Sequence, residues 1–152
     1  MAELCPAEKV LAKIPQQEPF RFIDEILELD DEHIVASYCF REDADFYRGH
    51  FPGNPITPGV ILIEAMAQAG IVALGLHLVV AELPEDEVDK LVTVFTDVNV
   101  EFFGIVRPGE RVITTGRKQY FRRRKLRSQV EMCREDGSVV CSGQLSGIGV
   151  PR

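Results

Sequence analysis

The sequence predicts a single α+β domain in which one long helix packs against an antiparallel sheet. Two observations predict this class: an apolar segment of helical length from Val60 to Ala81, and strand-like segments with turn signals on both sides of it. The length of 152 residues suits one well-cored domain and is short for two. No internal repeat, low-complexity tract or linker is visible, so we assign residues 1–152 to one domain.

The first two strands are expected ahead of the long helix. Phe20 to Leu29 is apolar-rich and broken by acids, and His33 to Phe40 has the β-branched and aromatic content of a strand. Together they predict a hairpin that turns at Asp30-Asp31. Arg41 to Thr57 is predicted to be a loop, because prolines and a glycine at positions 52, 53 and 55 interrupt regular structure.

The long helix is predicted to begin at Pro58 or Gly59, with Thr57 as its cap, and to end before the acidic loop of residues 84–89. Its length and apolarity approach those of a membrane span. However, Glu64, Gln68 and His77 interrupt the segment, and its flanks lack basic anchors and aromatic belts. A buried central helix without membrane insertion is therefore favoured.

Four further strands are expected after the helix, separated by turn signals at Pro108-Gly109 and Asp136-Gly137. Their predicted ranges are Lys90 to Phe103, Arg111 to Phe121, Leu126 to Cys133 and Ser138 to Ile148.

Charge and cysteine content limit the classes of function. The net charge of -7 argues against general nucleic-acid binding, which requires a basic surface. The four cysteines form no CxxC pair and have no metal-ligand spacing with the three histidines, so we expect reduced thiols and no metal site. The N-terminus lacks the basic start and long apolar core of a secretory signal, which predicts a cytoplasmic location.

A base and an acid stand close together around the start of the predicted helix. His50 lies in the loop segment Gly49 to Gly53, and a histidine can accept a proton near neutral pH. Glu64 lies among apolar helix residues, where desolvation favours the protonated carboxyl group. Such a pair is suited to adding or removing water.

Two further residues can support this chemistry. Gly59 would place unpaired backbone N–H groups at the helix N-terminus, where they can hold a carbonyl oxygen that gains negative charge. Gln68 lies four residues after Glu64, on the same helical face, and can hydrogen-bond its carboxyl group.

The segment from Gly49 to Gln68 reads GHFPGNPITPGVILIEAMAQ. It resembles the signature GHFPGxPxxPGVxxxEAxAQ of the 3-hydroxyacyl-[acyl carrier protein] dehydratases of type II fatty-acid synthesis. Ile14-Pro15 and the segment Pro19 to Asp24 are similar to the family's opening segment, although Gln16 replaces a commonly found histidine. Val100 to Glu110 is similar to its strand and turn after the helix, so the resemblance covers most of the chain.

This resemblance implies the hotdog fold, in which a curved antiparallel sheet wraps a long central helix. It also implies a homodimer joined edge to edge, or a trimer of such dimers, with each active site assembled from His50 of one subunit and Glu64 of the other. The implied enzyme is a lyase that dehydrates (3R)-hydroxyacyl thioesters on acyl carrier protein to trans-2-enoyl thioesters in fatty-acid or related lipid or polyketide biosynthesis.

The family's roles can be carried over onto matching residues. His50 would take the proton next to the thioester carbonyl, Glu64 would protonate the departing hydroxyl, and Gly59 would stabilise the enolate-like oxygen. Pro58, Val60 and Gln68 are expected to contribute to substrate binding, and Phe51 either lines the substrate tunnel or packs structurally. No metal or organic cofactor is expected, since the substrate is carried on the phosphopantetheine of acyl carrier protein.

A basic run, Arg122-Arg123-Arg124-Lys125, stands out on an acidic protein. It is interpreted either as the solvated end of a hairpin or as a docking surface for acyl carrier protein, which is acidic and carries a phosphate on its prosthetic arm. Nucleic acid is the less favoured anion.

The sequence leaves the subtype open. Glu64 is typical of the general dehydratase, because the bifunctional dehydratase/isomerase carries aspartate there, whereas Phe102-Phe103-Gly104 and the ending VVCSGQLSGIGV look more like the bifunctional enzyme. A homologue of polyketide or specialised lipid synthesis, a non-catalytic acyl-binding protein, and a thioesterase or hydratase on the same scaffold also remain as alternatives.

Overall fold

The computed structural model describes residues 3–152 and has an α+β architecture. In this range it contains four helices, α1 Pro6–Lys13, α2 Phe46–Gly49, α3 Gly59–Val79 and α4 Glu85–Val88. The six strands are β1 Glu25–Leu29, β2 His33–Cys39, β3 Leu91–Phe102, β4 Arg111–Arg122, β5 Lys125–Arg134 and β6 Val139–Pro151.

The six strands form one antiparallel sheet in the order β1-β2-β4-β5-β6-β3. Strand β3 pairs with β6 along its whole length, from Leu91 opposite Pro151 to Phe102 opposite Cys141. Its other edge has no partner strand in the described part of the chain. The sheet curves around α3, and the predicted hotdog fold is confirmed.

The central helix lies in direct contact with the middle of the sheet. A Cβ added to Gly70 would lie 2.6 Å from Cγ2 of Val130 on β5, and one added to Gly116 on β4 would lie 2.8 Å from the Cα of Gly70. Ser128 on β5 donates a hydrogen bond of 2.8 Å to the carbonyl of Gly70. The absence of side chains at this crossing allows the helix and sheet backbones to approach closely.

Helix α3 is long and apolar enough to span a membrane, but most of its residues are buried inside the protein. Met66, Ala73 and Leu74 are fully buried, so α3 forms the core of the fold, as the sequence predicts. Its central segment, Gln68–Ala73, is π-helical, a local change of helix geometry that the apolar sequence pattern does not predict.

Two local predictions were wrong. Thr57 does not cap α3, because its hydroxyl is hydrogen-bonded to the hydroxyl of Tyr47 at 2.6 Å, and Pro58 takes the N-cap position without a side-chain bond. The first strand begins only at Glu25, because the backbone of Phe20 and Phe22 is hydrogen-bonded to the side chain of Gln68 instead of to a neighbouring strand.

Other boundaries differ by a few residues. The predicted loop of residues 41–57 contains the single helical turn α2, and short helices α1 and α4 occupy segments where none was expected. Strand β6 extends to Pro151, because its last residues pair with the start of β3. Cys39, Cys133 and Cys141 lie in strands, and these three cysteines and Cys5 are free thiols.

Candidate active site

The loop that carries His50 is held by its own backbone. The N–H of His50 donates to the carbonyl of Phe46 at the end of α2, and the N–H of Ile56 donates back to the carbonyl of His50 at 3.1 Å. Between them, Asn54 N–H donates to the carbonyl of Phe51 at 2.9 Å, which closes a β-turn. Gly53 has φ +80° at the third position of this turn, a conformation that favours glycine and explains the Pro-Gly pair.

The orientation of the His50 ring is set by a carbonyl group. Its Nδ1 lies 3.1 Å from the carbonyl oxygen of Ile56. Because a carbonyl oxygen only accepts hydrogen bonds, Nδ1 carries the proton, and the Nε2 of a neutral His50 has a free lone pair. The imidazole of the half-buried His50 is therefore arranged to act as a base through Nε2. The exposed ring of Phe51 lies against it, with centroids 4.3 Å apart.

Helix α3 begins beside this loop with two free backbone donors. Ile61 and Leu62 both donate to the carbonyl of Pro58. The N–H groups of Gly59 and Val60 have no acceptor among the described residues. They lie at the positive end of the helix dipole, as oxyanion stabilisation requires.

The residues at the N-terminus of α3 differ in their exposure to solvent and in their contacts. Pro58 is buried, whereas the side chain of Val60 is 72% exposed. The Phe102 ring covers Gly59 so closely that an added Cβ would lie 3.2 Å from it. The helix N-terminus and the end of β3 are therefore in contact.

Glu64 lies one turn further along α3 and is held by Gln68, as the sequence predicts. Nε2 of Gln68 donates to Oε1 of Glu64 at 3.0 Å. Gln68 itself is fully buried and is anchored to the backbone of Phe22 and Phe20 at 2.7 and 2.9 Å. Burial raises the pKa of the Glu64 carboxyl group above its usual value, and the Gln68 hydrogen bond partly opposes this shift.

Glu64 lines a cavity of about 340 Å³ between α3 and the edge strand. The other lining residues are Gln16, three apolar residues of α3 (Ala67, Ile71 and Val72), Thr93, Val94 and Phe95 of β3, and Gly147 of β6. Sequence reasoning missed Gln16 and the β3 residues, because their proximity to Glu64 depends on the tertiary fold. No strand of the described chain covers the outer edge of β3, and the side chains of Val94 and Phe95 are exposed there.

A single chain does not bring all predicted site residues together. His50 and the N-terminus of α3 form one group, and Glu64 and Gln68 form another around the cavity, which His50 does not line. A larger cavity of about 660 Å³ lies between α1 and the end of α3, and none of the predicted site residues lines it.

The two remaining histidines lie away from both groups. His33 contacts Asp30 and Glu28, which raise its pKa, and His77 contacts Asp31. Within residues 3–152 no cluster of three or more histidine, cysteine or acidic residues is arranged to hold a metal ion.

The basic run forms the two-residue turn between β4 and β5. Arg122 pairs with Lys125 across the hairpin, and Arg123 and Arg124 have φ angles of 52° and 62°. Asparagine and glycine are the usual residues in such a turn, because bulkier side chains are strained there. None of the four side chains forms an ion pair with an acidic group in the described structure.

Comparison with known proteins places this arrangement in a family. The model of the FabA-like domain matches residues 14–145. The curated 3-hydroxyacyl-[acyl-carrier-protein] dehydratase FabZ of Streptococcus pyogenes is 34% identical over 140 residues, which cover 91% of this chain and 94% of that protein. The FabZ of Caldicellulosiruptor saccharolyticus is 33% identical over 144 residues, which cover 90% and 92%.

Solved structures agree at the level of the fold. The dehydratase heterocomplex ApeI:P of Xenorhabdus doucetiae matches with a TM-score of 0.73 at 16% identity, covering 94% of this chain and 91% of that one. A mutant thioesterase of Pseudomonas aeruginosa matches with a TM-score of 0.63 at 18% identity, covering 96% and 94%. From the family match and the two relatives together, the chain belongs to the FabA-like family.

Proposed function

We propose that this protein dehydrates (3R)-hydroxyacyl thioesters on acyl carrier protein to trans-2-enoyl thioesters in fatty-acid biosynthesis. The observation that carries the proposal is a carboxyl group of raised pKa, Glu64, in a largely apolar cavity of a FabA-like chain whose loop histidine has a free Nε2. Both curated relatives are named as dehydratases, and the match to this chain covers nearly their whole length. The thioesterase and non-catalytic alternatives are therefore not favoured.

The proposed roles of the residues follow from their hydrogen bonds and their surroundings. Nε2 of His50 removes the proton next to the thioester carbonyl, because its Nδ1 is already bonded to Ile56. The free N–H groups at Gly59 and Val60 hold the carbonyl oxygen as it gains negative charge. Glu64 protonates the departing hydroxyl group, which leaves as water. The reaction consists of two proton transfers, cleavage of the C3–O bond and formation of the C2=C3 double bond, without any external oxidant or reductant, so the proposal includes no metal or organic cofactor.

A homodimer would complete the site. The free edge of β3 is twelve residues long, and it carries large exposed apolar side chains at Val94, Phe95, Val98 and Phe102. Such an edge can pair with another strand. A second copy of the chain, related by a two-fold axis, would pair the backbone N–H and C=O groups of both edges. We therefore propose that two chains join through β3.

The register of this pairing determines which residues meet. Phe95 lines the Glu64 cavity, and Phe102 covers Gly59. An antiparallel pair with its two-fold axis near Val98 and Asn99 places Phe95 of one chain opposite Phe102 of the other. The His50 loop and helix N-terminus of one subunit would then face the Glu64 cavity of its partner.

Acyl carrier protein is the proposed substrate carrier and partner, and the cytoplasm is the proposed location. The turn of Arg122, Arg123, Arg124 and Lys125, whose three arginines are exposed, is the proposed docking surface, because its charges are unpaired within the described chain and the carrier is acidic. Phe51 and Val60 are exposed near the helix N-terminus and are proposed to contact the substrate, together with Pro58. Gln68 is proposed to act on the substrate through Glu64.

Turnover by the purified protein tests the function. Adding it to crotonyl and longer enoyl carrier-protein thioesters is expected to decrease the absorbance of the conjugated enoyl thioester, since hydration is the reverse reaction. Release of free thiol would indicate a thioesterase instead. No change with any chain length, from protein with normal circular dichroism, would contradict the proposed activity.

A further inference from the structure

The amide oxygen of Gln16 is an unsatisfied acceptor near the acid. Within residues 3–152 it is the one buried side-chain nitrogen or oxygen that has no hydrogen-bond partner. Its neighbour Gln17 is different, because Nε2 of Gln17 donates to the carbonyl of Ile14 at 2.9 Å. Buried polar groups in proteins are nearly always hydrogen-bonded, so an exception calls for a physical reason.

Gln16 lines the same cavity as Glu64. Apart from these two residues and Thr93, the lining residues have no polar side-chain group. Gln68 occupies Oε1 of Glu64, so in the protonated form of the acid Oε2 carries the proton and can donate it. A ligand in this cavity therefore meets the Glu64 donor and the unused Gln16 acceptor, and the Thr93 hydroxyl is the third polar group of the lining.

The Glu64 donor and the Gln16 acceptor together can satisfy both hydrogen-bonding functions of a hydroxyl group. A hydroxyl has lone pairs that accept and a single hydrogen that it must donate. If Glu64 donates to the oxygen, the hydrogen still needs an acceptor, since leaving it unbonded in an apolar cavity carries a desolvation cost. A saturated acyl chain has no such group and would leave Gln16 unpaired.

We propose that Oε1 of Gln16 accepts a hydrogen bond from the 3-hydroxyl group of the acyl chain, orients its lone pair towards Glu64, and selects hydroxyacyl over saturated chains. The proposal rests on the proposed dehydratase function. In the reaction the C3–O bond breaks, the oxygen takes the Glu64 proton, and the resulting water keeps its original hydrogen directed at Gln16. In the hydration direction Gln16 holds the attacking water in the same way.

Binding to an inactive protein tests this role. In the His50→Ala background, which leaves Glu64 and Gln16 intact, we compare the dissociation constants of (3R)-hydroxybutyryl and butyryl pantetheine thioesters. The hydroxy ligand should bind roughly threefold to tenfold more tightly, as for one net hydrogen bond. Adding Gln16→Met, which keeps chain length but removes the acceptor, should abolish this preference. Gln16→His should restore part of it, because an imidazole nitrogen can accept.

The matched control is Gln17→Met, which changes the exposed neighbouring glutamine and should keep the preference. Retention of the preference in Gln16→Met would overturn the proposal, as would an equal loss for both ligands. Loss of the preference in Thr93→Val but not in Gln16→Met would assign the acceptor to Thr93 and also overturn it.

Turnover separates this inference from the proposed function. In the otherwise unchanged enzyme, Gln16→Met should lower kcat for dehydration roughly threefold to tenfold at an unchanged melting temperature. Unchanged kcat in this variant would contradict the inference alone. Absence of turnover in the protein without substitutions would contradict the proposed function itself.

Discussion

At the scale of single residues, the reactivity of His50 and Glu64 is set by one neighbour each and by burial. The Ile56 carbonyl fixes the proton on Nδ1 of His50, and the buried amide of Gln68 fixes the rotamer of Glu64. Burial keeps the proton on the Glu64 carboxyl group to a higher pH than in water. The surroundings thus set the tautomer of the base and favour the protonated form of the acid.

Removing either group should stop the reaction. We expect His50→Ala and Glu64→Gln each to lower kcat by roughly a hundredfold to ten-thousandfold, the range typical of general acid or base catalysis. His77→Ala is the matched control, because His77 contacts Asp31 outside the cavity and should leave kcat unchanged. Near-normal turnover in either site variant, with a normal circular dichroism spectrum, would refute the assigned roles.

The buried carboxyl group should also make stability depend on pH. A folded-state pKa above the unfolded value means that the folded protein binds more protons in this range, so the free energy of unfolding falls as pH rises through the raised pKa. Glu64→Gln keeps the acceptor for Gln68 but cannot ionise. We expect it to be more stable than the original protein at pH 7 and to lose this advantage towards pH 4. Urea unfolding at several pH values measures this, and a difference independent of pH would contradict it.

At the scale of elements, the β4–β5 turn combines charge with an unfavourable backbone. Two consecutive arginines with positive φ are costly in a turn that asparagine and glycine suit better. Their unpaired positive charges can attract the proposed acidic carrier, and this attraction would explain why arginines occupy the turn despite the backbone cost.

The double variant Arg123→Asn/Arg124→Gly should therefore have opposite effects on stability and docking. The free energy of unfolding should rise by about 1 to 2 kcal/mol, while the KM for a carrier-linked substrate should increase. Turnover of a pantetheine thioester without carrier should stay unchanged, and Lys9→Glu on α1 is the control for charge alone. An unchanged KM for both substrates would show that the turn is only a solvated hairpin end.

Elements set by local patterns were predictable, and those set by distant contacts were not. Turn residues identified the β5–β6 hairpin, and the apolar run identified α3. The segment Phe20 to Asp24 looks like a strand, but Gln68, more than forty residues away, binds its backbone. Thr57 looks like a helix cap, but its hydroxyl is hydrogen-bonded to the Tyr47 hydroxyl instead of to a backbone N–H group of the helix. The short helix α1 had a local signal that was overlooked, Pro6 at its start and Glu8 bonded to the N–H of Cys5.

At the scale of the whole molecule, the free edge of β3 connects assembly with activity. The sequence and its resemblance predict His50, Gly59 and Glu64 as site residues, and the structure of one chain leaves them in two separate groups. Gln16 could not be assigned from the sequence, because its role depends on a cavity formed by residues far apart in the chain.

A charge at the proposed axis should separate the subunits. Val98→Lys brings two like charges together at the centre of the β3 pair, so we expect a monomer in sedimentation velocity and loss of turnover, although Val98 belongs to neither catalytic group. Leu27→Lys is the matched control, because Leu27 is an exposed apolar residue on the opposite edge strand β1. An active monomer of Val98→Lys would rule out a shared site.

Subunit mixing tests the shared site most directly. Each dimer of one His50→Ala and one Glu64→Gln subunit would contain one intact site and one site lacking both groups. Random exchange of equal amounts should therefore restore about a quarter of the original activity, since half of the dimers are mixed and each has one of two sites. No recovery of activity, with exchange demonstrated by native mass spectrometry, would contradict the assembly of each site from two chains.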